Sequence, residues 1–267
     1  MKVGFFQFNI VSKDPEANRK ILYDNLQDKK FDLLVLPELF TTGYLLGSSE
    51  NAYPYAEEIP NGKTVKLLEK LSKSVDGYII GSMMEREGDK LYNSAIVVGP
   101  EGYVGKQRKL NPTDYESRYS LSGDSVEIFI IRGIKVGVAI CFDLWFSELS
   151  RYFFNNGVQI LCHTANFGGI QSPAIAQARA VENKMFVVSC NRTGREVDDS
   201  IEADFRGESR VVDIDGNILA QATGEVEFSV VDIEPGHAKD KHLDFSAEYP
   251  NRIRRTEEII KSAKGFL

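Results

Sequence analysis

Residues 31–38 read FDLLVLPE, an unbroken apolar run from Leu33 to Leu36 that ends on a carboxylate. A strand with one wet face would alternate, so a continuous run belongs to a strand covered on both faces. Upstream, KVGFFQFNI (2–10) has the same character. Between the two, Asp14-Pro15-Glu16 reads as N-cap, first helical residue and favourable first-turn charge, followed by an apolar stripe at Ala17, Ile21, Leu22 and Leu26. Downstream, a helix is expected around Thr64 to Ser74, with Val65, Leu68 and Leu71 inward. Strands GYIIGSMM and NSAIVVG follow, joined by the charged turn EREGDK, and Pro100-Glu101-Gly102 marks a further hairpin.

This order returns in the second half. Lys135-Val136-Gly137-Val138 repeats the start of Lys2-Val3-Gly4-Phe5, and a helix is expected from Ser147 to Asn156, stopped by Gly157. VQILCHTAN answers FDLLVLPE, Pro173 opens the helix PAIAQARAVENK, and FVVSCN is a strand. RVVDIDGNILA answers AIVVGPEGYVG with Gly216 in the place of Gly102, and FSVVDI is expected to close that sheet. Each half therefore reads β-α-β-α-β-β. Two such halves predict an α/β protein, a four-layer α-β-β-α sandwich of two face-to-face mixed sheets with pseudo-twofold internal symmetry. From Pro250 to Leu267 a charged helix is expected, with Ile253, Ile259 and Ile260 spaced for a dimer contact or for docking within the chain.

Composition narrows the class. The chain has 267 residues, 42% hydrophobic and 27% charged, which excludes a disordered chain. A net charge of −7 argues against nucleic acid or an anionic membrane as partner. Cys141, Cys162 and Cys190 are odd in number and lack a Cys-x-x-Cys spacing, so neither a disulfide framework nor a zinc knuckle is expected, and a reducing cytoplasm is the simplest location. The first apolar run is broken at Gln7 and Asn9, too short for a signal-peptide core, and no run is long enough to cross a membrane. No Pro/Ser-rich linker divides residues 1–267, which are read as one domain. His237 and His242 lie in a charged loop without metal-binding spacing, and His163 reads as a buried, hydrogen-bonded residue. Cys162 and Cys190 sit in apolar strands and read as core.

In open α/β sheets, functional groups gather at the carboxyl ends of strands. Glu38 closes FDLLVLPE, Cys141 closes KVGVAIC, and Lys109 lies in the basic segment GKQRKLN between the halves. A thiol with an ordinary pKa of about 8.5 needs a base or a positive charge to attack, and Glu38 and Lys109 are the matching types.

Three longer stretches carry a resemblance. LPELFTTGY around Glu38, GKQRKLNPTDYESRYSLSGD around Lys109 and GVAICFDLWFSELSRY around Cys141 are similar to the three signatures of the nitrilase (carbon–nitrogen hydrolase) superfamily, in the same order and at similar separations. HTANFGG, ARAVENKMFVVSCNRTG and FRGESRVVDIDGNILA extend the likeness along nearly the whole chain. The resemblance implies Glu38 as general base, Lys109 as oxyanion stabiliser, Cys141 as nucleophile and Glu116 as a second glutamate that positions the site. It implies the four-layer sandwich, a homodimer or larger homo-oligomer, and no cofactor or metal. The backbone N–H of Phe142 is a candidate second oxyanion donor. Two places depart from the family pattern: Asn111 stands where a histidine is usual, and Arg254-Arg255-Thr256 stands where Arg-Arg-Pro is usual.

Cys141-Phe142-Asp143 is closer to the amidase and carbamoylase branches than to true nitrilases, and no fused domain is expected in so short a chain. The reading is hydrolysis of a small carboxamide, with an ω-amide, an N-carbamoyl compound or a nitrile as alternatives, and a catalytically silent binding homologue as another class. Candidate substrate-binding residues are Tyr44, Tyr115, Trp145, Asn166 and Phe167, with Phe142 beside them. Each of these suits packing as well as substrate, and Trp145 is as well suited to core or dimer interface as to lining the site. Arg192 suits a substrate carboxylate or a surface salt bridge, and the loop REVDDSIEADFRG a flap over the site or an exposed connection.

Overall fold

In the computed structural model, which describes residues 1–198, 201–240 and 248–262, the chain begins β1 (Lys2–Gln7), α1 (Pro15–Leu26), β2 (Leu33–Val35), α2 (Ser49–Ala52), α3 (Lys63–Val75), β3 (Tyr78–Glu87), β4 (Lys90–Gly99) and β5 (Gly102–Arg108). It continues β6 (Ile128–Ile131), β7 (Ile134–Ile140), α4 (Ser147–Asn155), β8 (Ile160–Thr164), α5 (Gln171–Asn183), β9 (Phe186–Cys190) and the hairpin β10 (Thr193–Asp198) and β11 (Ile201–Arg206). The hairpin β12 (Arg210–Val212) and β13 (Ile218–Gln221), strand β14 (Glu227–Asp232), α6 (His237–Asp240) and α7 (Tyr249–Ser262) follow.

The strands make two six-stranded mixed sheets, ordered β14-β1-β2-β3-β4-β5 and β13-β12-β9-β8-β7-β6. Each has three central parallel strands, β1-β2-β3 or β7-β8-β9. On one side of each lies an antiparallel hairpin pair and on the other a single antiparallel strand. This is the expected pseudo-twofold repeat.

Side-chain alternation explains the layering. Val3 and Phe5 of β1, Leu33 and Val35 of β2, Val136, Val138 and Ile140 of β7, and Ile160 and Cys162 of β8 share one core between the sheets. Their neighbours of opposite parity face outward: Phe6 and Leu34 pack with Leu22 and Leu26 of α1 and with Val65, Leu68 and Leu71 of α3. On the other side, Ala139 and Leu161 pack with Leu149 and Phe153 of α4 and with Ala176 and Ala180 of α5. Gly137 lets α4 approach: a Cβ there would lie 2.9 Å from the Phe153 ring. At α1, Asp14 caps the Ala17 N–H at 3.0 Å, as expected.

Two expectations are corrected. FSVVDI does not close the second sheet but forms β14, antiparallel to β1 at the edge of the first. Strand β6 already covers the free side of β7, and Gly4 leaves room for β14 because a Cβ there would run into the Ser229 carbonyl. The C-terminal helix spans Tyr249–Ser262 and docks by Tyr249, whose hydroxyl donates to the Glu182 carbonyl at 2.7 Å, while Ile259 and Ile260 stay exposed. Residues 263–267 of the expected helix, and His242, lie outside the described residues.

Gln7, which breaks the first apolar run, is fully buried and ties β1 to the segments around Ser209 and Thr223–Glu225. Its Nε2 donates to the carbonyls of Thr223 and Glu225, each at 2.7 Å, and its Oε1 accepts from Ser209 N–H at 3.0 Å and Oγ at 2.7 Å. Gln7→Leu keeps the size but orphans these groups, and is expected to lower unfolding stability by about 1–3 kcal/mol or more, measured by chemical denaturation. An unchanged midpoint would show that these bonds contribute nothing net.

Candidate active site

Glu38, Lys109 and Cys141 each lie just past the carboxyl end of a strand. Glu38 follows β2, and its N–H donates to the Ala165 carbonyl beyond β8 at 3.2 Å, which stitches the ends of the two sheets together. Lys109 follows β5 directly, with its N–H on the Asn93 carbonyl at 2.8 Å and its own carbonyl taking Gly123 N–H at 2.7 Å. Cys141 follows β7 in the left-handed region (φ +46°) and opens the 3₁₀ turn Cys141–Trp145. A non-glycine residue rarely holds that conformation, which is found where surrounding contacts impose it.

Those contacts are explicit. The Cys141 thiol donates to the Asn166 carbonyl at 3.7 Å. The Cys141 carbonyl faces His163 Nε2 at 3.1 Å, and His163 Nδ1 faces Ser189 Oγ at 2.8 Å. A carbonyl only accepts, so Nε2 carries the ring proton and Nδ1 accepts from the serine. Burial drives the His163 pKa down to about 4, so the ring is neutral near pH 7. Arg179 of α5 clamps the far end of the turn, donating to the Leu144 and Trp145 carbonyls, each at 2.9 Å. Asp143 reaches the other way and accepts from Leu110 N–H (3.1 Å), Asn111 N–H (2.8 Å) and Asn111 Nδ2 (3.0 Å). Asn111 thus serves as a side-chain donor at its position, joining the turn of Cys141 to the segment of Lys109.

Lys109 is fully buried between two fully buried carboxylates. Its Nζ lies 2.7 Å from Glu38 Oε1 and also bonds Glu116 Oε2. Asn93 of β4 closes the ring, donating from Nδ2 to Glu38 Oε1 at 2.7 Å and to Glu116 Oε1 at 2.8 Å. Glu38 Oε2 is buried without a hydrogen-bond partner.

Two carboxylates and one ammonium leave one surplus negative charge in a dry place. Burial, with the Glu116 charge added to it and Lys109 opposing, pushes the Glu38 carboxyl up to about 7; the Cys141 thiol also interacts with it and lowers it slightly. Burial lowers the Lys109 pKa, but Glu38 and Glu116 outweigh it and hold the ammonium well above its ordinary value. Burial and the Glu38 charge raise the Cys141 thiol well above its ordinary value, against the pull of Lys109. The resting thiol is therefore protonated, beside a carboxylate whose affinity for protons is set near neutrality.

The expected lining residues divide. Tyr44 stands over Lys109, with Nζ 6.0 Å from the ring centroid, and its hydroxyl bonds Thr113. Tyr115 packs on Tyr44 at 5.7 Å, and its hydroxyl accepts Gly47 N–H at 3.1 Å. Asn166 and Phe167 follow β8; Phe167 stacks on His163, whereas both side-chain polar atoms of Asn166 are buried without a partner. Phe142 contacts Trp145, which is exposed rather than core.

Arg192 corrects both readings given to it. It is fully buried, with Nη1 on Glu196, Nη2 on the Ile10 carbonyl at 2.8 Å and Nε on the Thr193 carbonyl at 3.2 Å. Its guanidinium is neither at the surface nor available to a substrate carboxylate. Cys162 and Cys190 are buried core, as expected. Among the described residues no cluster of metal-ligating side chains occurs, and no helix is long and apolar enough to cross a membrane. Asn93, Arg179 and the anchoring role of His163 were not identified from sequence. A polar Asn at the head of NSAIVVG was the only signal for the first.

Comparison with known proteins agrees with this fold. The chain is 33% identical to a nitrilase of Pyrococcus abyssi, over 91% of this chain and 94% of that protein. It is 32% identical to an omega-amidase of Xenopus laevis, over 84% and 85% of the two chains. Among solved structures, a carbon–nitrogen hydrolase from Helicobacter pylori matches with a TM-score of 0.80 at 23% identity, over 99% of this chain and 95% of that one. A superfamily protein from Xanthomonas campestris, with an arsenic adduct in its active site, matches with a TM-score of 0.79 at 22% identity, over 100% and 98%. Residues 2–240 match the carbon–nitrogen hydrolase family, the two face-to-face mixed sheets agree with that match, and the chain belongs to that family.

Proposed function

We propose that this carbon–nitrogen hydrolase releases ammonia from a small carboxamide through a thioester on Cys141. The observation that carries the reading is the buried Lys109 ammonium held between Glu38 and Glu116, next to a protonated thiol. The free Oε2 of Glu38 takes the thiol proton as sulfur attacks the amide carbon. The oxyanion that forms is met by Lys109 Nζ and by the Phe142 backbone N–H. The protonated Glu38 passes its proton to the departing nitrogen, and ammonia leaves with the thioester formed. Water enters, Glu38 takes one of its protons, and hydroxide attacks the thioester carbon. Collapse releases the carboxylic acid and returns the proton to sulfur. Glu116 and Asn93 touch no reacting atom in this scheme and hold Lys109 in place.

Tyr44, Tyr115, Asn166 and Phe167 are assigned to the acyl side, a reading supported by the Tyr44 ring over Lys109, Tyr115 packed on Tyr44, and the Asn166 carbonyl against the Cys141 thiol. Trp145 and Phe146 are exposed, which leaves them free to meet a second copy of the chain. The omega-amidase relatives support an amide substrate, and the nitrilase relative makes the matched nitrile the comparison to run.

Cys141→Ala is expected to abolish ammonia release from every amide tested, with an unchanged unfolding midpoint. Retained turnover in a coupled ammonia assay would remove Cys141 as nucleophile, and a matched nitrile turned over faster than its amide would reassign the reaction.

Glu38 works as a base in its ionised form. With its carboxyl at about 7, kcat/KM is expected to rise with pH through neutrality and to fall tenfold per unit below it. Glu38→Gln is expected to lower kcat by about 10²- to 10⁴-fold and to remove that acidic limb. A wild-type profile flat from pH 5 to 8 would argue that another group takes the proton.

A further inference from the structure

The loop REVDDSIEADFRG is neither a free flap nor a plain connection. Its first strand, β10, alternates: Val197 is exposed, whereas Glu196 is buried on the opposite face, which Asp198 shares. Both carboxylates reach across to the first half of the chain. Asp198 pairs with Lys13 at 2.6 Å. Glu196 Oε2 accepts the N–H of Tyr44 at 2.9 Å and of Leu45 at 2.9 Å, while Oε1 takes Arg192 and lies 3.2 Å from the Tyr44 nitrogen.

Gly43 makes this grip possible. It holds φ +79°, and a Cβ there would run into the Glu196 carboxylate. The carbonyl of Tyr44 is held independently, by the Tyr119 hydroxyl at 2.8 Å. The Tyr44 backbone is therefore fixed at N–H and C=O by two separate parts of the fold, and its ring is placed beside Lys109 as a consequence. Glu196 itself has no hydrogen bond or ion pair to Glu38, Lys109, Glu116 or Cys141 among the described residues.

We propose that Glu196 is a positioning residue for acyl specificity: from the hairpin, neutralised by Arg192, it fixes the Tyr44 backbone and so sets where the Tyr44 ring closes the acyl pocket. This rests on the reading of Tyr44 as a lining residue. A buried carboxylate suits the task because it accepts from two N–H groups and a guanidinium at once, and charge-assisted bonds hold their geometry more firmly than neutral ones. Arg192 is the cation that allows the carboxylate to be buried.

The test separates the acceptor from the charge. Removing Glu196 alone would strand a buried arginine, so two uncharged double variants are compared: Arg192→Met with Glu196→Gln, and Arg192→Met with Glu196→Met. The first keeps an oxygen for the Tyr44 and Leu45 N–H groups, and the second keeps only volume. For unbranched aliphatic amides of increasing chain length, kcat and KM are measured separately, with the rate of Cys141 alkylation by N-ethylmaleimide and the unfolding midpoint. The Gln variant is expected to keep the wild-type chain-length preference. The Met variant is expected to raise KM for the preferred amide by about tenfold and to flatten the preference, with Cys141 alkylation equal in the two. Tyr44→Ala should flatten the preference in the wild type and add nothing in the Met variant.

Equal KM and preference in the two double variants would overturn the proposal. So would a Met variant whose kcat and alkylation rate fall together at constant KM, since Glu196 would then act on the catalytic groups. A wild type that hydrolyses no amide in the series would instead bring down the amidase reading, and this proposal with it.

Discussion

The structure turns on one buried cation. Lys109 sits in a dry interior that would expel a lone ammonium at a cost of several kcal/mol. Glu38 and Glu116 keep it charged, and Asn93 locks the two carboxylates to each other. Because two carboxylates face one ammonium, the cluster carries a surplus negative charge. Burial keeps Glu38 poised near neutrality instead of fully ionised, against the attraction of Lys109 and with the Glu116 charge adding to it. The same electrostatics holds the Cys141 proton on sulfur until a base removes it. The arrangement that stabilises the cation therefore also sets up the proton transfer that the proposed reaction requires.

Bringing these groups together is the work of the two-sheet frame. Glu38, Lys109 and Glu116 come from the first half of the chain and Cys141 from the second, so no local element could assemble them. The halves share one apolar core, to which β2, ahead of Glu38, and β7, ahead of Cys141, both contribute. Polar bridges then fix the ends: Glu38 N–H on the Ala165 carbonyl, Asp143 on the segment after Lys109, and Glu196 on the Tyr44 backbone. Each runs from one half to the other. The left-handed conformation of Cys141 is held from within the second half, by His163 from the neighbouring strand β8 and by Arg179 from α5.

Much of this was legible in the chain. Continuous apolar runs in FDLLVLPE and VQILCHTAN marked strands buried on both faces, and their recurrence with helices between them marked the repeat. The ends of those runs located Glu38 and Cys141. Where the reading went astray, polar residues in apolar settings were the cause. Arg192 read as a ligand or a surface ion because arginine is seldom buried, and only its partner Glu196 explains where it lies. Asn93 passed as the start of a strand, and FSVVDI was assigned to the wrong sheet because nothing local distinguishes one sheet edge from another.

The sequence by itself thus determined the elements, their order and the residue types available for chemistry, because apolar periodicity and turn residues act over a few positions. The tertiary structure alone decided which polar side chains share a dielectric environment. Whether a carboxylate is a solvated surface charge or a base near neutrality depends on what surrounds it, and those surroundings come from residues up to 152 positions away, as with Asn93 beside Glu38 or Glu196 beside Tyr44 and Leu45. Burial and charge pairing are properties of the assembled fold, and here they set the state of each group at the site.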